Sequence, residues 1–118
     1  MTGGLEPTAA GPVTREQIRC YADAVDDHNP MHVDEDFAKA AGMPSVIAHG
    51  PLTLMLAIDA LVGAHGPNAL ESFDGRLRAP LLPGQRLTVA ARDGELELRT
   101  DDGATVIASA SIDLRGGS

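Results

Sequence analysis

The run Ala48-His49-Gly50-Pro51-Leu52-Thr53-Leu54-Met55-Leu56-Ala57-Ile58-Asp59-Ala60-Leu61-Val62 decides how this chain folds. Proline directly after Gly50 suits the first turn of a helix, where its missing N–H is one of the donors left over anyway. From Leu52 to Val62 the segment is apolar on nearly every side, and such a helix is expected inside a fold rather than on its surface. The run is too short, and too clearly broken by Asp59, to span a bilayer. Whatever covers the helix must come from the rest of the chain.

Downstream of Gly66-Pro67 the pattern changes to strands. Phe73 to Ala79, Arg86 to Arg92, Glu95 to Thr100 and Thr105 to Leu114 are set apart by Pro83-Gly84, Asp93-Gly94 and Asp102-Gly103. Asp-Gly between alternating segments is the strongest short hairpin signal. Leu87, Val89 and Ala91 alternate with polar neighbours, as do Val106, Ala108, Ala110 and Ile112. The expectation is an α+β fold: one antiparallel sheet with a single apolar helix to bury against it.

Upstream, Thr14-Arg15-Glu16-Gln17 matches a capping box, followed by Ile18, Tyr21, Ala22 and Val25 at helical spacing. Pro30 must end that helix, since the residue before a proline disfavours the α region. Asp34 is placed to cap a second short helix over residues 35–41, closed by Gly42. Residues 1–13, rich in Gly, Pro and Ala, read as a flexible lead-in with at most one short edge strand. Residues 14–115 then form a single domain and 116–118 a tail; 118 residues leave no room for a second core.

Composition narrows the function classes. Hydrophobic residues make up 43%, which rules out wholesale disorder, but aromatics are 3%, so Leu, Val, Ile and Ala must fill the core. The net charge of -8 repels phosphate backbones and argues against nucleic acid as a partner. Cys20 is the only cysteine, so no intrachain disulfide can form. The N-terminus has no basic region followed by an apolar run, so no signal peptide is expected, and the reading is a cytoplasmic protein without membrane partners. Arg76, Arg78, Arg86 and Arg92 stand close in sequence, either as an anion-binding patch or as solubilising charges on strands.

Two stretches carry chemistry. Asp26-Asp27-His28-Asn29-Pro30-Met31-His32 gathers acids, imidazoles and an amide at a helix end, where Pro30 is expected to leave an irregular loop. A carboxylate and an imidazole across a rigid Asn-Pro turn can converge on one water, as acid-base catalysis requires. The stretch equally fits a plain helix end, with Asn29 bonding its own backbone. A metal site on His28 and His32 is not expected: their spacing suits a continuous helix, which Pro30 forbids. In the second stretch, the N–H of Gly50 is an unpaired donor at the positive end of the long helix, open to a ligand oxygen. A tight turn needing glycine's freedom accounts for Gly50 as well.

Taken together, Tyr21, Asp27-His28-Asn29-Pro30-Met31-His32, Phe37-Ala38, Ala48-His49-Gly50 and Leu52-Thr53 resemble the MaoC-like hydratase/dehydratases, a family that includes (R)-specific enoyl-CoA hydratases and hydroxyacyl-carrier-protein dehydratases. The resemblance runs from about Thr14 to Leu114, through Arg78-Ala79-Pro80 and Pro83-Gly84. It implies a hot-dog fold, an antiparallel sheet wrapped around a long central helix, usually paired as a homodimer with the acyl thioester at the interface. It further implies a hydro-lyase without a cofactor. Asp27 and His32 would hold the water, Gly50 N–H would polarise the thioester carbonyl, and Asn29 and His49 would support the site. The substrate would be an acyl-CoA, an acyl-carrier protein or a free pathway intermediate, with the acidic surface disfavouring an acidic carrier.

This sequence departs from the family pattern at Asp26, where glycine is common, at His28, where a small or neutral residue is usual, and at Pro51. Asp26 and His28 are therefore candidate modulators of the dyad: the carboxylate of Asp26 either perturbs Asp27 or points to solvent. Two other functions stay open: an enzyme recruited to dehydrate, cyclise or isomerise a polyketide-like intermediate, and a non-catalytic partner subunit of a heterodimer. A thioesterase would place its acid on the central helix, where Asp59 reads instead as a polar position facing an interface.

Overall fold

A computed structural model describes residues 4–114. The capping box forms as read: Gln17 N–H donates to Thr14 Oγ1 at 3.0 Å, and Thr14 N–H donates to Gln17 Oε1 at 2.8 Å. They start α1 (Arg15–Val25), whose Ile18 and Ala22 face the interior. Asp34 caps α3 (Glu35–Ala40) by accepting from Phe37 N–H, and Gly42 follows with a φ of 98°. The long helix α4 runs Gly50–His65, two residues earlier and three later than its apolar run.

Five strands make one antiparallel sheet in the order β1-β3-β4-β5-β2, where β1 is Leu5–Ala10, β2 Leu70–Leu77, β3 Leu87–Arg92, β4 Glu95–Thr100 and β5 Val106–Leu114. Asp93 and Gly94 both have positive φ, 54° and 80°, the signature of a tight turn whose twist matches its strands, and they join β3 to β4 in unbroken register. The segment read as a lead-in contributes an edge strand: β1 pairs with β3, so the sheet begins at Leu5 rather than after residue 13. Residues 1–3 of the expected lead-in, residue 115 at the end of the expected domain and the expected tail 116–118 lie outside the described residues.

The inward faces of β3, β4 and β5 present Leu87, Val89, Leu96, Leu98, Ala108, Ala110 and Ile112, which pack with Ala57 and Leu61 of α4 into one core. This is the expected sheet-on-helix architecture, corrected in one respect. Only Thr53, Ala57 and Leu61, at successive four-residue steps, are fully buried on α4, while Met55 and Asp59 are exposed. One sheet covers one side of a helix, so a helix apolar all round keeps an uncovered face within a single chain.

Candidate active site

Helix α1 ends at Asp26, which takes a left-handed conformation (φ 54°). That geometry is cheap for glycine and tolerable for aspartate, which explains why either residue serves at this position. The chain then turns through Asp27, whose N–H donates to Ala22 O at 2.9 Å. Here the expected irregular loop is replaced by a short helix, α2 (Pro30–Val33). The left-handed turn at Asp26 ends α1 four residues before Pro30, and Pro30 starts the next helix, because a first helical residue needs no N–H donor. Asn29 caps α2, its Oδ1 accepting from Met31 N–H at 3.0 Å, and His32 N–H donates to Asn29 O at 2.9 Å. Asn29 thus sets the direction in which His32 leaves the backbone.

His32 Nδ1 lies 2.7 Å from Ile47 O. A carbonyl only accepts, so Nδ1 carries the hydrogen and Nε2 of the neutral ring is left as an acceptor. The Ile47 carbonyl is itself held in place. Glu35 Oε1 accepts from Val46 N–H at 3.0 Å and from Arg15 Nη1 at 2.8 Å, and Ile47 N–H donates to Met31 O. The bond from Arg15 and then that from Val46 N–H hold the Glu35 carboxyl below the usual carboxylate range.

His49 is the third group. It stands immediately before α4, 1% exposed, with Nε2 at 3.0 Å from Asp27 O. Its ring stacks on His32 with centroids 3.9 Å apart and planes 27° apart, and Tyr21 packs against it at 4.8 Å with a tilt of 58°. Tyr21 was legible as an apolar helix position and as one residue of the family resemblance; its place beside His49 depends on a contact between distant segments. Asp27, His32 and His49 each offer a donor atom within 4.8 Å of the others, a spacing compatible with a metal ion. His32 Nδ1 and His49 Nε2 are already engaged by the Ile47 and Asp27 carbonyls, which leaves one ring nitrogen on each histidine.

His28 turns away from this cluster. Its Nε2 is 2.7 Å from Asp23 Oδ1 and its Nδ1 3.5 Å from Asp26 Oδ1. The hydrogen bond to Asp23, helped by the charges of Asp23, Asp26 and Asp27, raises its pKa above the ordinary histidine value. The Asp26 side chain is 96% exposed, so of the two expected orientations it takes the solvent one. Gly50 follows His49 directly and opens α4, its amide one of the donors that a helix N-terminus leaves without an intrahelical acceptor. A Cβ there would come 3.0 Å from Leu77 Cδ1, so glycine keeps this helix mouth open. Arg76, Arg78 and Arg92 line one groove of mixed charge with Asp74, Glu95 and Glu97, and Arg78 donates to Ser109 Oγ there.

An antiparallel sheet holding one long helix defines the hot-dog class, and here an acid-imidazole cluster stands at the mouth of that helix. Residues 4–111 match the family described as the MaoC like domain, and the chain belongs to that family. Among curated proteins, 3-hydroxyacyl-thioester dehydratase X of Mycobacterium tuberculosis is 40% identical over 94 residues, covering 78% of this chain and 33% of that protein. The peroxisomal enoyl-CoA hydratase 2 of Arabidopsis thaliana is 41% identical over 64 residues, 52% of this chain and 21% of that protein. The chain thus spans a third or less of the length of these two relatives. Among solved structures, the ChsH1-ChsH2 complex of Mycobacterium tuberculosis superposes with a TM-score of 0.72 at 21% identity, covering 98% of both chains, a likeness of fold. Among the described residues no helix is long and apolar enough to cross a membrane.

Proposed function

We propose that this domain catalyses reversible, stereospecific hydration of 2-enoyl thioesters to 3-hydroxyacyl thioesters, on CoA or a carrier protein. The observation that carries the reading is the His32 ring beside Asp27: Nδ1 is committed to Ile47 O, and Nε2 stands free as an acceptor. In hydration, a water held between Asp27 and His32 gives up a proton to the dyad as its oxygen bonds to the β-carbon. The electron pair of the C=C bond shifts toward the α-carbon and the thioester oxygen, where Gly50 N–H and the positive end of α4 stabilise the charge. The dyad returns a proton to the α-carbon, and the carbonyl re-forms. Dehydration runs the same steps backwards.

Membership of the MaoC like family and the names of the two curated relatives support this chemistry. The net charge of -8 disfavours docking of an acidic carrier protein. The half-uncovered α4 supports pairing with a second copy, with the thioester lying where the two meet. The test is incubation of the purified chain with crotonyl-CoA, followed by chiral analysis of the product. Conversion to a single 3-hydroxybutyryl enantiomer supports the reading; inertness toward enoyl thioesters of every chain length removes it.

A further inference from the structure

We infer that His49 is the positioning residue of the dyad: one buried imidazole that fixes the Asp27 backbone through its edge and the His32 ring through its face. The inference rests on the proposed roles of Asp27 and His32, and it assigns His49 a specific mechanical part beyond general support.

Four observations carry it. First, His49 joins segments that are distant in sequence, bonding Asp27 O at 3.0 Å across 22 residues. Second, the acceptor there is a carbonyl, so Nε2 must carry the hydrogen; His49 is locked in one tautomer, its lone pair at Nδ1. That nitrogen is buried and meets no hydrogen-bonding partner among the described residues. A buried imidazole with one idle nitrogen is an expensive choice if its only task is to fill space. Third, the His32 ring lies on the His49 face at 3.9 Å, while Tyr21 packs against His49 at 4.8 Å. His32 is therefore fixed at its edge by Ile47 O and across its plane by His49, two constraints that together leave Nε2 one direction to point. Fourth, His49 is the residue from which α4 starts: its carbonyl accepts from Thr53 N–H and from Thr53 Oγ1, both at 3.0 Å. Any shift of His49 would move Gly50 N–H relative to Asp27 and His32 together.

The two contacts can be separated by substitution. His49→Phe keeps a ring against His32 and removes the bond to Asp27 O. His49→Gln keeps a donor near the Nε2 position and removes the ring. The inference predicts that His49→Phe lowers kcat by roughly ten- to a hundredfold with KM little changed, as expected when reacting groups are misplaced by a fraction of an ångström. His49→Gln should recover part of that loss. Nitrogen NMR of histidine-labelled protein supplies a readout independent of turnover. The wild type should show His49 protonated at Nε2 and His32 at Nδ1; His49→Gln, which removes the stacked ring, should blur the single tautomer of His32, whereas His49→Phe should preserve it. Unchanged kcat in both variants, or an unchanged His32 signature in His49→Gln, would overturn the inference. A wild-type spectrum with His49 protonated at Nδ1 would overturn it too, and needs no variant to fold. If the wild type hydrates no enoyl thioester, the catalytic reading falls by itself, while the spectra still decide whether His49 holds His32.

Discussion

At His28 the ring is gripped by Asp23 at 2.7 Å and faces Asp26 at 3.5 Å, on the outside of the turn that carries Asp27. Because the folded pKa is raised, chiefly by the bond to Asp23, the grip is fully present below the ordinary histidine value and is lost as pH rises through the folded value. A proton NMR titration should therefore place the His28 midpoint above that of an unstructured histidine, and Asp23→Asn should lower it. A midpoint unmoved by Asp23→Asn would show that the pair does not form in solution. The sequence marked His28 as a departure from its family but could not show which way the ring faces. That direction depends on the left-handed turn at Asp26, and a lone Asp does not announce such a turn as glycine does. The same holds for His49: a histidine just before a Gly-Pro helix start is visible in sequence, whereas its contacts with Asp27 and His32 depend on how the α1–α2 turn lies over α4.

Between α1 and α3, Glu35 ties Arg15 to the Val46 N–H and so steadies the strip of chain that presents Ile47 O to His32. Its carboxyl is held low, so its contribution is present above the ordinary carboxylate range and disappears as pH falls through the folded value. Glu35→Gln should lower Tm at neutral pH and converge with the wild type in acid. An equal deficit at both extremes would mean that packing, not charge, carries the effect. In the core, Leu61→Ala should cost about 2–5 kcal/mol by denaturant unfolding, since Leu61 is buried between α4 and the sheet. Elements of this kind were readable because their signals are local: the Thr14 capping box, the Asp34 cap and the Asp93-Gly94 turn each lie within a few residues. Helix α2 was not, because Pro30 supports two outcomes, and reading it as the end of one helix hid that it starts another.

For the molecule as a whole, the informative mismatch is α4, apolar all round in sequence yet covered on one side in the fold. Met55 is 46% exposed there, and a second copy would bury it. Light scattering should report a dimer, and Met55→Glu should shift the chain toward monomer with loss of hydratase activity. A wild-type monomer with full activity would contradict the proposed pairing. An antiparallel sheet burying one apolar helix was legible from that helix and the hairpin turns, and the family resemblance supplied the hot-dog fold; β1 was legible only as an allowance for one short edge strand, because its sequence carries no clear alternation. The central claim is that Asp27 and His32 add water to an enoyl thioester, and steady-state hydration of crotonyl-CoA by Asp27→Asn and His32→Ala tests it most directly. Each substitution should lower kcat by about a hundred- to ten-thousandfold in protein that remains folded, the scale lost when a positioned acid or base is removed. Full activity in both variants would contradict it.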